Sequence, residues 1–116
     1  MNKIEKIEKL WGYEVIWAKT DIYSAKFLHI NPNSRSSLQY HKEKEKTVYV
    51  MAGELVFQLG EEGDETITGP GSIIHIKPNE VHRFGAGNTP VMLTEASTSE
   101  LDDVVRLEDD YKRVQK

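Results

Sequence analysis

The sequence predicts an all-β protein, a sandwich or a barrel. Short β-rich runs recur about every 8–12 residues, and Gly, Pro and Asn turns separate them. Apolar and polar residues alternate within several of the runs, the pattern of a strand with one buried face. With 116 residues the chain is one domain, 1–116, long enough to bury a core.

In order, the first strand covers Tyr13 to Ala18, preceded by a charged segment, "NKIEKIEK", read as a solvated lead-in to Trp11. Tyr23 to Ile30 is the second strand, stopped by the turn "NPN" at 31–33. Ser36 to His41 and Thr47 to Ala52 follow, with the Lys/Glu run 42–46 between them as a solvated hairpin tip. Gly53 opens Glu54 to Leu59, which ends in the polar tip "GEEGDE". Glu65 to Thr68, the turn "GPG" at 69–71, Ser72 to Lys77, Val81 to Phe84 and Val91 to Ser97 complete the series. The charged tail "LDDVVRLEDDYKRVQK" lacks Gly and Pro and reads as ending in a short helical turn.

A net charge of −4 argues against nucleic acid or an anionic membrane as partner, because there is no basic surplus to release counterions. The absence of cysteine excludes disulfides and thiolate chemistry and suits a reducing, cytoplasmic setting. The charged N-terminus has no apolar core of a signal peptide, and no apolar stretch approaches the roughly 20 residues of a membrane span.

Four histidines carry the candidate chemistry: His29, His41, His75 and His82. Gln39 and His41 stand two apart on a strand and so share a face. Neutral imidazole with an amide or carboxylate oxygen is ligand chemistry for Zn, Mn, Fe or Ni. His29 reads as facing outward, and Arg83 as alternating away from the interior. His75, between Ile74 and Ile76, is a sheet residue or a pocket wall; Glu95 and Arg106 read as structural charges at a strand and in the tail. Trp11, Tyr13 and Trp17 are core or subunit-interface aromatics.

Two spacings then align with a known family. The chain resembles the cupins, double-sheet jelly-roll barrels marked by G-x5-H-x-H-x(3,4)-E-x6-G and G-x5-P-x-G-x2-H-x3-N. The first motif runs here through Asn33, Gln39, His41, Lys46 and Gly53, and the second through Gly71, Lys77, Asn79, His82 and Ala86. The segments Trp11-Gly12, Leu38-Gln39-Tyr40-His41, Asp102-Asp103-Val104-Val105-Arg106 and Asp109-Asp110-Tyr111-Lys112-Arg113 further resemble the cupin domain of type II mannose-6-phosphate isomerases. That domain is also the C-terminal part of bifunctional mannose-1-phosphate guanylyltransferases. The resemblance implies a metal set of Gln39, His41 and His82, with Lys46 where the family has Glu. Lys46, Glu45, His75 and Glu95 are the candidate pocket residues.

Lys46 is the departure. An ammonium has no lone pair and repels a cation, so Lys46 weighs against the divalent metal, Zn, Mn, Fe or Ni, that the resemblance implies. A one-residue slip in "KEKEK" would instead turn Glu45 inward, at the cost of reversing every side chain that follows. The implied function is that of a sugar-phosphate isomerase acting through an enediol, with a sugar phosphate as ligand. The alternative is a small-molecule-binding cupin without catalysis. A metal-dependent oxygenase is disfavoured, since the usual second His and carboxylate are both replaced. Edge strands that need cover point to a homodimer in which the N-terminal strand region takes part.

Overall fold

The structure, a computed structural model, describes residues 4–112. Among these described residues eleven strands follow one another: β1 Glu5–Lys9, β2 Gly12–Lys19, β3 Tyr23–Ile30, β4 Leu38–Tyr40, β5 Lys46–Ala52, β6 Leu55–Leu59, β7 Glu65–Thr68, β8 Ile73–Ile76, β9 His82–Ala86, β10 Val91–Thr98 and β11 Val105–Glu108. They form two antiparallel sheets, one ordered β1-β2-β3-β10-β5-β8 and the other β11-β4-β9-β6-β7. This is a double-sheet jelly-roll barrel, as the sequence predicts.

Alternation decides what lies inside. On β5, Val48 and Val50 are buried while Tyr49 and Met51 are exposed. The same parity buries Val91 and Leu93 on β10, Leu28 and Ile30 on β3, and Ile74 and Ile76 on β8. With Leu55, Phe84 and Trp11 these residues form one apolar cluster between the sheets. Glu14, Lys26, Lys46 and Glu95 sit on the same inward parity and are also buried. One end of the barrel interior is therefore apolar and the other is charged.

Four turns hold this geometry through left-handed backbone. Asn33, Gly53, Gly71 and Asn79 have φ of 56°, 80°, 93° and 66°. These are the four glycine positions of the two aligned motifs. Asn, unlike most residues, tolerates the left-handed region, which accounts for its standing in for Gly at 33 and 79.

Two local readings are corrected. The lead-in to Trp11 is not merely solvated, because Glu5–Lys9 pairs with β2, Glu5 opposite Ile16 and Lys9 opposite Gly12. The described part of the tail holds no helical turn: β11 pairs with β4, Val105 opposite Tyr40 and Arg106 opposite Gln39. Tertiary pairing overrides the helical character of an acidic, glycine-free run. Residues 113–116 of that expectation lie outside the described residues. Among the described residues no helix is long and apolar enough to cross a membrane.

Candidate functional site

The charged end of the interior is built from four neighbouring strands. Glu95 on β10 lies opposite Lys26 on β3 and Val48 on β5, and Ser97, two residues along, lies opposite Lys46. Lys46, with 6% of its surface exposed, places its ammonium 3.3 Å from the carboxylate of Glu95, which is 2% exposed. Lys44 and Lys26 reach the other Glu95 oxygen at 3.4 and 3.7 Å. Lys26 also donates to Glu14 at 3.0 Å. One buried carboxylate thus holds three ammonium groups, and a second carboxylate shares one of them.

Lys44 comes from the run read as a solvated tip, and the tail explains its position. The Asp103 carboxylate accepts hydrogen bonds from the backbone N–H groups of Lys42, Glu43 and Lys44 at 3.1, 2.7 and 3.0 Å. Those three donors hold the Asp103 carboxyl below its ordinary range. The clamp folds the loop onto the barrel and turns Lys44 inward.

His41 and His82 share one arrangement. His41 Nδ1–H donates to the Asp103 carbonyl at 2.5 Å and His82 Nδ1–H to the Glu80 carbonyl at 2.9 Å. A carbonyl can only accept, so each neutral ring carries its proton on Nδ1 and keeps a lone pair on Nε2. Both Nε2 atoms are buried with no hydrogen-bond partner among the described residues, and the ring centroids are 5.0 Å apart. Burial first, then the Lys46 charge, pushes the pKa of His41 down to about 4 and that of His82 down to about 2. Burial lowers Lys46 to about 8, against the opposing pull of Glu95. Glu95 is driven well below the carboxylate range, since the attraction of Lys46, Lys26 and Lys44 outweighs its burial.

A cavity of about 110 Å³ opens beside these groups. Gln39, His41, Lys46 and Glu95 line it, together with Lys26, Lys44 and Arg106. His82 is fully enclosed beside His41 instead of standing on the cavity wall. Two expected pocket residues lie elsewhere. Glu45 and His75 are on the outer surface, bonded to each other at 2.6 Å with about half of each side chain exposed. Ile74 and Ile76 occupy the core, so the pleat sends His75 outward, and Lys46 takes the inward position that a slip would have given Glu45.

Other residues were missed or assigned differently. Lys26 and Glu14 escape notice as single charges, although each falls in the buried parity of its strand. Arg106, read as a tail charge, reaches the cavity, and its Nε is buried with no partner among the described residues. Arg83 does alternate away from the interior, yet it is buried, because the chain on either side covers it: its guanidinium donates to the carbonyls of Ser36 and Glu108 at 3.0 and 3.2 Å.

The residues present do not fit a divalent metal. The two Nε2 lone pairs, each oriented by a carbonyl on the far side of the ring, suit metal ligation. The rest of the set does not: Gln39 Oε1 accepts from Ser37 Oγ at 2.6 Å, Lys46 carries positive charge into the site, and the three lysines engage Glu95. Among the described residues no group of three His, Cys, Asp or Glu side chains could hold a metal ion.

A family model described as the cupin domain matches residues 26–97, well over half of the chain. No curated protein sequence matches at a significant level. Of the similar solved structures, the polyketide cyclase RemF from Streptomyces resistomycificus is 25% identical with a TM-score of 0.69, covering 76% of this chain and 62% of its own. KdgF from Halomonas sp. is 16% identical with a TM-score of 0.73, covering 87% and 89%. The capsular polysaccharide assembling protein CapF from Staphylococcus aureus is 17% identical with a TM-score of 0.78, covering 93% of this chain and 35% of CapF. The chain therefore spans less than two thirds of the cyclase, and the two more distant likenesses are likenesses of fold.

Proposed function

This chain belongs to the cupin domain family, and on that premise we propose that it binds a small sugar phosphate inside the barrel, as a mannose-6-phosphate isomerase-like cupin. One observation carries the reading: the cavity wall bears Lys26, Lys44, Lys46 and Arg106 beside Gln39 and His41. Cations suit the phosphate, and an amide with a neutral imidazole suits hydroxyl groups. The resemblance of Leu38-Gln39-Tyr40-His41 and of the Asp102–Arg113 tail to the isomerase cupins supports the sugar class.

Isomerisation of an aldose to a ketose takes a proton from the carbon beside a carbonyl and returns it to the neighbouring carbon through an enediol. In this chain the Lys46 ammonium would hold the developing oxyanion, the role that electrostatic stabilisation plays in such reactions. His41 Nε2 would take the proton. A second reading, binding without turnover, is favoured by the pKa of about 4 at His41, far below that of a base matched to neutral pH.

Calorimetric titration with mannose 6-phosphate, fructose 6-phosphate and the parent hexoses tests the binding reading. Binding of the phosphates and not of the parent sugars is expected; no binding of either phosphate would refute it. NMR of the two phosphates incubated with the protein then separates the readings. Interconversion supports the isomerase, and unchanged spectra with a bound ligand support the binding protein.

A further inference from the structure

The departure at Lys46 changes what the centre of the barrel can hold. The ammonium groups of Lys26, Lys44 and Lys46 are all buried and all within 4 Å of Glu95, and the second buried carboxylate, Glu14, serves only Lys26 among them. Three enclosed cations share two enclosed carboxylates. Enclosed charge without a partner is costly, and an arriving anion offsets that cost, whereas an arriving cation adds to it. Each ammonium has three donors, so one contact to Glu95 leaves protons on Lys44 and Lys46 for another acceptor. Arg106, which lines the same cavity, has a buried Nε with no partner among the described residues. The Nε2 lone pair of His41, which lines the cavity, is left for a hydroxyl or acid proton.

We infer that this barrel has exchanged a cation site for an oxyanion site, in which Lys44 and Lys46 receive a carboxylate or phosphate group of the ligand directly, without a bridging metal. The inference deepens the sugar-phosphate reading but does not depend on the sugar. It accounts for an interior that holds His41 and His82 beside Lys46, where the cupin motif has its carboxylate.

The test uses simple ions. Wild type, Lys44→Met, Lys46→Met and Lys46→Glu are titrated calorimetrically with inorganic phosphate, acetate, Zn²⁺ and Mn²⁺, with folding checked by near-UV circular dichroism. Wild type is expected to bind phosphate or acetate, the tighter of the two naming the source, and each Met variant to lose at least about tenfold, one charge contact being worth roughly that factor. Lys46→Glu should lose the anion and gain metal affinity on the order of a thousandfold, from the removed repulsion at about 4 Å in a medium of effective dielectric near 20. If either Lys46 variant fails to fold, Lys44→Met, whose loop is held through its backbone, decides between loss and retention of the anion. Folded wild type that binds neither anion, or Lys44→Met with unchanged anion affinity, overturns the inference. So does tight wild-type metal binding that Lys46→Glu leaves unchanged. Failure of the hexose phosphates alone, with inorganic phosphate or acetate still bound, would overturn the sugar reading and not this one.

Discussion

Acidification from pH 7 to pH 5 should cost the fold roughly 4 kcal/mol through two side chains. His41 and His82 are enclosed, with no partner for Nε2 among the described residues, and their pKa values fall from the ordinary 6.5 to about 4 and about 2. Both folded values lie below the unfolded one, so between them the unfolded chain binds protons that the folded chain refuses. The stabilisation is complete above pH 6.5 and is lost as pH falls toward the folded pKa. Each histidine contributes a slope of about 1.4 kcal/mol per pH unit inside that window, hence roughly 4 kcal/mol for two histidines over the 1.5 units down to pH 5. Glu95, Asp103 and Asp110 are all shifted downward and begin to matter only in stronger acid. The assay is urea unfolding at pH 7, 6 and 5, followed by the fluorescence of Trp11 and Trp17. Below pH 6.5 wild type should lose close to 2.7 kcal/mol per pH unit, approximately twice the slope of His82→Asn. A flat profile from pH 7 to 5, or an equal slope in the variant, would refute the enclosed-imidazole argument.

The other predictions concern charge, backbone and surface. Glu95→Gln leaves three buried lysines short of their shared partner and should cost about 3–5 kcal/mol in urea unfolding, while Glu45→Gln, in an exposed pair, should stay within about 1 kcal/mol. Equal losses would contradict the placement of Glu95 inside and Glu45 outside. Gly53→Ala puts a Cβ 2.2 Å from the Pro90 carbonyl oxygen at a φ of +80°; the expected loss is about 3 kcal/mol in thermal or urea unfolding. An unchanged midpoint would show that the turn can relax. The outer face of the six-stranded sheet exposes Trp17, Phe27, Tyr49, Met51 and Ile73. Sedimentation velocity should find a homodimer that Trp17→Lys weakens; a wild-type monomer at micromolar concentration would count against it.

Strand parity made much of this architecture legible. Val48 and Val50 inward require Lys46 inward and Glu45 outward, so the residues themselves settle the question of a slip. The same rule sends His75 outward between Ile74 and Ile76. Motif spacing placed the turns at 33, 53, 71 and 79; Gln39 lies opposite His82 in the sheet, and the rings of His41 and His82 stand 5.0 Å apart. What stayed hidden depends on distant segments. Asp103 clamps residues 42–44 from about 60 positions away, and nothing local in "KEKEK" announces that Lys44 is buried. The tail becomes a strand because β4 offers it an edge, which its own composition does not foretell. Lys26, Glu14 and Glu95 could have been found as charges in otherwise apolar parity, but their mutual pairing needed the strand order β2-β3-β10-β5.

In this barrel a fixed ammonium stands where the cupin motif has a metal ligand. Metal content settles it most directly: wild type and Lys46→Glu, each exposed to Zn²⁺ and desalted, are compared by plasma emission spectrometry with protein concentration measured in parallel. Wild type should retain far less than stoichiometric zinc, and Lys46→Glu a stoichiometric amount. Stoichiometric zinc retained by wild type would contradict it.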